Sequence, residues 1–210
     1  MHPKSLALTF DDGPDAGMMP AVMELLNRYD AKATFFVLGS KINEQTAPVL
    51  RSAAEQGFEI GNHSENHLHM PSLMPEQMLW EVEQVQRKVE QETGRRPSLF
   101  RPPYLDVSGQ MLSLIPMPFI FGFSNRDWDC GCTVEQRISQ ALKDSRDGAV
   151  LLMHCFEGNE PTLEALEYLL PELKRRGYRI TTVSDLFRDK GIPLERGKIY
   201  EQAAYEEERK

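Results

Sequence analysis

Residues 6–14 read LALTFDDGP: a short apolar run, two aspartates, then glycine and proline. Leu6–Phe10 (LALTF) lacks the polar alternation of a strand with one wet face, and it fits a strand covered on both faces, as in a helix-covered parallel sheet. Asp11-Asp12-Gly13-Pro14 is turn chemistry: Asp bonds the backbone, Gly takes positive φ and Pro fixes φ. Taken alone, the stretch predicts a strand and its turn. Two carboxylates at a strand's carboxyl end become a site only if other strands end the same way.

Working outward, six more short runs read as strands: Thr34–Leu38, Phe58–Ile60, Ser98–Phe100, Phe119–Phe123, Ala149–Met153 and Arg179–Val183. Amphipathic stretches separate them. Val22, Leu25, Leu26 and Tyr29 form one helical stripe; Leu79, Val82, Val85 and Val89 form another, entered at Pro75 and stopped at Gly94. Thr133 with Gln136 makes a capping box ahead of Ile138, Ala141 and Leu142, and Leu163, Leu166, Leu169 and Leu170 mark a helix running toward Gly177. Strand-helix alternation of this kind is α/β, either a small or irregular barrel or an open doubly wound sheet. No repeat or Pro/Gly/Ser linker divides it, so one domain is expected over residues 1–190. The polar stretch 191–210 is expected to be a tail or surface helix.

Composition narrows the function. The chain has 210 residues, 24 Lys+Arg against 32 Asp+Glu, a net charge of −8 and 40% hydrophobic residues. That acidic balance excludes the basic face a nucleic-acid binder needs. No run approaches the roughly 18 apolar residues of a membrane span. Three cysteines, Cys130, Cys132 and Cys155, are too few for a disulfide framework, and Cys130-x-Cys132 lacks a second pair at zinc-site spacing. The opening MHPKSLALTF lacks the pattern of a secretory leader. The expectation is a cytoplasmic protein, or a domain cut from a longer one that faces the cell wall or the outside.

The strand ends carry the chemistry. After LALTF come Asp11 and Asp12; after FEI come His63 and His67; after SLF come Arg101 and Tyr104; after FIFGFS come Asp127 and Trp128; after AVLLM comes His154. Carboxyl ends of strands are where α/β sheets and barrels build active sites. Four of the five histidines (His63, His67, His69, His154) fall there. His63 and His67, at i and i+4, would share one helical face. Together with Asp12 they make a three-ligand set with open positions, which suits either a zinc-type hydrolase or a two-His-one-carboxylate iron oxygenase. Asp11 tips the reading toward hydrolysis, because an attacking water needs a base and oxygen activation does not. His154 is then the acid for a leaving group, with Asp127 fixing its tautomer and Arg101 keeping Asp11 ionised.

Five ordered motifs, TFDDGP (Thr9–Pro14), GNHSENH, RPPY, the Asp127-Trp128 pair and LLMH, together with RITTVSDLF (Arg179–Phe187), closely resemble the NodB-type polysaccharide deacetylases, the family 4 carbohydrate esterases. The resemblance covers nearly the whole chain. It implies an irregular (β/α) barrel with fewer than eight complete units. It implies one divalent ion, zinc or else cobalt or another, on Asp12, His63 and His67, with Asp11 as general base and Arg101 positioning it. By the same resemblance the Tyr104 N–H helps hold the oxyanion, Asp127 tunes the acid His154, and Trp128 with Leu152 walls the acetyl pocket. The implied substrate is N-acetylglucosamine polysaccharide, peptidoglycan or chitin-like. Acetylated xylan is the runner-up; a silent carbohydrate-binding domain and the iron oxygenase are remoter. Apart from the resemblance, the expectation for the oligomeric state is a monomer. Three residues depart from the family pattern: Leu105 stands where a glycine is common, Ser124 and Cys155 where an aspartate is. Trp80, aromatic but within a helical pattern, reads as packing.

Overall fold

The structure is a computed structural model and describes residues 4–204. Eight parallel-paired strands alternate with seven α-helices: β1 Lys4–Gly13, α1 Met18–Arg28, β2 Ala33–Val37, α2 Ala47–Glu55, β3 Glu59–Asn62, α3 Pro75–Thr93, α4 Gly109–Leu114, β4 Phe119–Ile120, β5 Phe123–Ser124, α5 Val134–Asp144, β6 Val150–His154, α6 Glu160–Arg175, β7 Tyr178–Thr181, α7 Val183–Asp189 and β8 Ile199–Tyr200. The main ladder runs β3-β2-β1-β6-β5. Single bridges Asn62–Phe100 and Phe100–Phe119 carry it on from β3 to β4, and the chain itself leads from β4 to β5. This is an irregular (β/α) barrel. One edge of β1 is shared, with β2 along Leu8–Gly13 and β7 along Lys4–Ala7.

Local chemistry explains most elements. β1 is buried along nearly all its length because helices cover it outside and side chains fill the barrel inside. Leu6, Leu8 and Phe10 join the large core with Leu166, Leu169 and Leu170 of α6. α3 starts at Pro75 and stops at Gly94, which takes the left-handed conformation that glycine tolerates best. The Thr133–Gln136 capping box opens α5.

Several expectations need correcting. Phe119–Phe123 is two strands, because the Ile120 and Phe121 carbonyls accept from the Arg101 side chain and Gly122 presses against β6, where a Cβ would lie 2.9 Å from the Val150 oxygen. Ser98–Phe100 forms no strand and supplies only the two bridges at Phe100, pinched between Pro97 and Pro102-Pro103, which lack N–H donors. In the stripe of α3, Met78 is buried and Leu79 exposed. Trp80 is not packing: it is 50% exposed. Within the C-terminal stretch no helix is found among the described residues; instead β8 pairs with β4 and Tyr200 meets Phe187. Residues 205–210 of that stretch lie outside the described residues. Among those described, no helix is long and apolar enough to cross a membrane.

Candidate active site

Strand alternation sends Thr9 and Asp11 into the barrel while Leu6, Leu8 and Phe10 face the helices. Strict alternation would also send Asp12 away from Asp11. A register shift between Phe10 and Gly13, with Asp12 at φ 66°, turns both carboxylates into one cleft. Lys41 Nζ donates to the Asp12 carbonyl at 2.7 Å.

His63 follows β3 and is buried. Its Nδ1 lies 2.8 Å from the Arg101 carbonyl, which can only accept, so Nδ1 carries the hydrogen and Nε2 presents its lone pair. Burial pushes its pKa down to about 3, despite the nearby Asp12 carboxylate. His67 does not share a helical face with His63. The segment is a turn in which Ser64 (φ 72°) and His67 (φ 56°) are left-handed. Ser64 Oγ accepts from the His67 N–H at 3.1 Å, and Glu81 of α3 takes both the backbone N–H and the Nδ2 of Asn66, at 2.8 and 2.7 Å.

Asp12, His63 and His67 form a group able to hold a metal ion. Asp12 Oδ1 is 3.6 Å from His63 Nε2 and 3.4 Å from His67 Nε2. Donors of one tetrahedral zinc sit about 3.3–3.5 Å apart. Asp12 Oδ1 is also buried with no hydrogen-bond partner, the condition expected of a ligand oxygen. The donor set fits a divalent ion.

Asp11 lies beside this group, its Oδ2 3.8 Å from His63 Nε2. Burial raises its pKa; Arg101 opposes the rise without cancelling it. The fully buried Arg101 gives Nη1 to Asp11 Oδ1 at 2.6 Å and to Thr9 Oγ1 at 2.8 Å, and its guanidinium lies 4.1 Å from the Phe36 ring centre. His154 pairs with Asp11 in the β1–β6 register. Its Nδ1 is 2.7 Å from Asp127 Oδ1 and its backbone N–H donates to Asp127 Oδ2, also at 2.7 Å. Burial would lower the His154 pKa, but the Asp127 hydrogen bond and the Asp127, Asp11 and Asp12 charges outweigh it, leaving the pKa raised.

Around these groups lie exposed aromatic surfaces. Tyr104 is 58% exposed, with His69 stacked on its ring at 3.9 Å. His69 therefore stands apart from the ligand group, its Nδ1 3.5 Å from Asp106. Tyr104 (φ 59°) and Leu105 (φ 55°) are both left-handed, so Leu105 adopts a conformation that glycine would take without strain. Trp128 is 57% exposed and lines a groove with Phe156 and Pro161. Leu152 is buried on β6 beside Ser124 and Thr9. Ser124 Oγ accepts from the Arg126 N–H, and the buried Cys155 donates its N–H to the Asp11 carbonyl, with burial raising its thiol pKa. Thr9, Lys41, Glu81, Asn159 and Thr162 escaped the sequence reading; only Thr9, within the TFDDGP motif, had a signal to find it by.

The model of the family described as polysaccharide deacetylase matches residues 1–115. A bifunctional xylanase/deacetylase of Pseudobutyrivibrio xylanivorans is 35% identical over 189 residues, 90% of this chain and 31% of that protein. A peptidoglycan N-acetylglucosamine deacetylase of Listeria monocytogenes is 34% identical over 201 residues, 94% of this chain and 41% of that protein. The chain thus spans less than half of either relative. The structure of a family 4 acetyl xylan esterase from Clostridium thermocellum in complex with a cobalt ion superposes with a TM-score of 0.92 at 35% identity, covering 96% of this chain and 100% of that one. With the family match spanning more than half of its length and the barrel matching as closely, this chain belongs to the polysaccharide deacetylases, the NodB-type family 4 carbohydrate esterases.

Proposed function

We propose that the chain is a divalent-metal-dependent hydrolase that removes N-acetyl groups from N-acetylglucosamine-containing polysaccharide. One observation carries this reading: a base and an acid on neighbouring strands, with the acid built for full proton donation. Asp11 accepts a proton from the attacking water, and Arg101 keeps that carboxylate oriented. An ion on Asp12, His63 and His67, zinc by preference, supplies Lewis-acid charge and makes water acidic. His154, with Nδ1 tied to Asp127, has Nε2 to protonate the departing nitrogen. An amide requires that proton, because an amide anion is a very poor leaving group; a sugar ester needs it less. The Tyr104 N–H is assigned to the oxyanion, and Trp128 and Leu152 to the acetyl pocket.

The test is acetate release by the zinc-loaded chain from N-acetylglucosamine oligomers, peptidoglycan and acetylated xylan, with a chelated control. Chelator-sensitive release from the amino sugars supports the reading. Release from xylan alone, the activity named for the Clostridium neighbour, moves the chain to the esterases. Release that needs ferrous iron and oxygen, or none from any substrate, overturns it. Asp11→Asn should abolish turnover with metal retained, and His67→Ala should lose the metal; full activity or full metal content, respectively, removes the assignment.

A further inference from the structure

Behind His154 lies a second buried cation that the mechanism above does not use. Arg137, in the first turns of α5, is 3% exposed, and no ion pair to it is found among the described residues. Its partners are neutral: Nε donates to the Cys132 carbonyl at 3.2 Å, and Nη1 donates to Asn159 Oδ1 at 2.7 Å and to Thr162 Oγ1 at 2.9 Å. Both of those side chains continue to Asp127. Thr162 Oγ1 is 2.8 Å and Asn159 Nδ2 3.4 Å from Asp127 Oδ2, and Asn159 Nδ2 also donates to the His154 carbonyl at 3.1 Å.

We propose that Arg137 is a positioning residue for the acid, anchoring the two side chains that hold Asp127 in place against His154. The inference rests on the acid role given to His154 above. A guanidinium has donors and no acceptor. Thr162, receiving an N–H from Arg137, must therefore spend its single hydroxyl proton on Asp127. Asn159, presenting its oxygen to Arg137, must turn its NH₂ toward Asp127 and the His154 carbonyl. Asp127 Oδ2 is then surrounded by donors: Thr162 O–H, Asn159 N–H and the His154 backbone N–H. That leaves Oδ1 for the imidazole Nδ1–H and so aims Nε2 away from Asp127. Because the Asp127 carboxylate only accepts, the direction of these bonds survives without Arg137; what is lost is the anchor that holds Thr162 and Asn159 against Asp127, and with it the carboxylate's firm placement under the imidazole.

An architectural tie between α5 and α6 would make the same contacts, so the test must separate the two. Zinc-loaded wild type and Arg137→Gln are compared on an N-acetylglucosamine oligomer, whose nitrogen must be protonated to leave, and on 4-nitrophenyl acetate, whose phenolate leaves unaided. The variant should lose about 10- to 100-fold in kcat on the amide with KM little changed, while the ester rate stays within about threefold. Arg137→Lys should restore most of the amide rate. In a His154→Ala background Arg137→Gln should cost nothing further. Equal losses on both substrates, or full additivity with His154→Ala, overturn the proposal. A second readout is independent of turnover: proton NMR should find the His154 Nδ1–H resonance far downfield in wild type, as its short bond to Asp127 requires, and moved upfield or broadened in Arg137→Gln; an unchanged resonance overturns the proposal. Should Arg137→Gln fail to fold, Thr162→Val, which removes one link at nearly constant volume, carries the same comparison. A wild type inactive on the amide defeats the functional reading alone, and the NMR result still decides the role of Arg137.

Discussion

At His154, charge overrules burial. An imidazole this enclosed would ordinarily lose its proton early, yet the carboxylates of Asp127, Asp11 and Asp12 hold it protonated to higher pH than a free histidine. The sign follows: the acid form is complete at low pH and is lost as pH climbs through the raised pKa, so the alkaline limb of the kcat profile should lie above the usual histidine range. Asp127→Asn keeps the shape, removes the charge and should move that limb down, cutting kcat by about 10²-fold or more. An alkaline limb that does not move would show that Asp127 is not its cause. The residues touching this chemistry were legible because the carboxyl end of each strand writes its chemistry into the sequence just after an apolar run. Lys41, Asn159 and Thr162 were not, since what places them beside Asp12 and Asp127 is the packing of distant segments.

At the scale of elements, Gly61 shows how the framework transmits strain to the site. A Cβ at Gly61 of β3 would come within 2.4 Å of the Phe36 ring on β2, and that ring carries the Arg101 guanidinium on its other contact. Phe36 is fully buried and has nowhere to retreat. Gly61→Ala should cost about 1–3 kcal/mol in urea unfolding, the usual penalty of overpacking, and should lower kcat by displacing the Arg101–Asp11 pair. An unchanged midpoint would mean that Phe36 moves freely. Elements with their own caps, such as α3 and α5, could be read directly, because a cap is chemistry among neighbours in sequence. The break between β4 and β5 could not: its cause is an arginine some twenty positions away that takes the Ile120 and Phe121 carbonyls. The turn holding His67 looked like a helix for a similar reason, since i, i+4 spacing says nothing of the Glu81 clamp on Asn66.

At the scale of the whole molecule, the three proposed ligands come from the ends of two strands, β1 and β3, that flank β2, so an ion there joins parts of the chain about fifty residues apart. Binding to the folded state alone stabilises by about 2.7 kcal/mol at a hundredfold excess over Kd. For a domain of this size that is roughly 5–10 °C in Tm. Zinc should raise Tm by this amount in calorimetry, and His67→Ala should abolish the rise while leaving the metal-free Tm close to that of wild type. A rise that survives His67→Ala would place the ion elsewhere.

Arg101 has a consequence of another kind. It is bonded to Asp11, to Thr9 and to the Ile120 and Phe121 carbonyls, and it rests on Phe36, so it is the keystone of the barrel as well as a neighbour of the cleft. His67 and His154 lie nearer the rim, with side chains 26% and 14% exposed. A descendant drifting out of catalysis while still folding would shed one of those histidines first, and its arginine would outlast the reaction as a fossil of it.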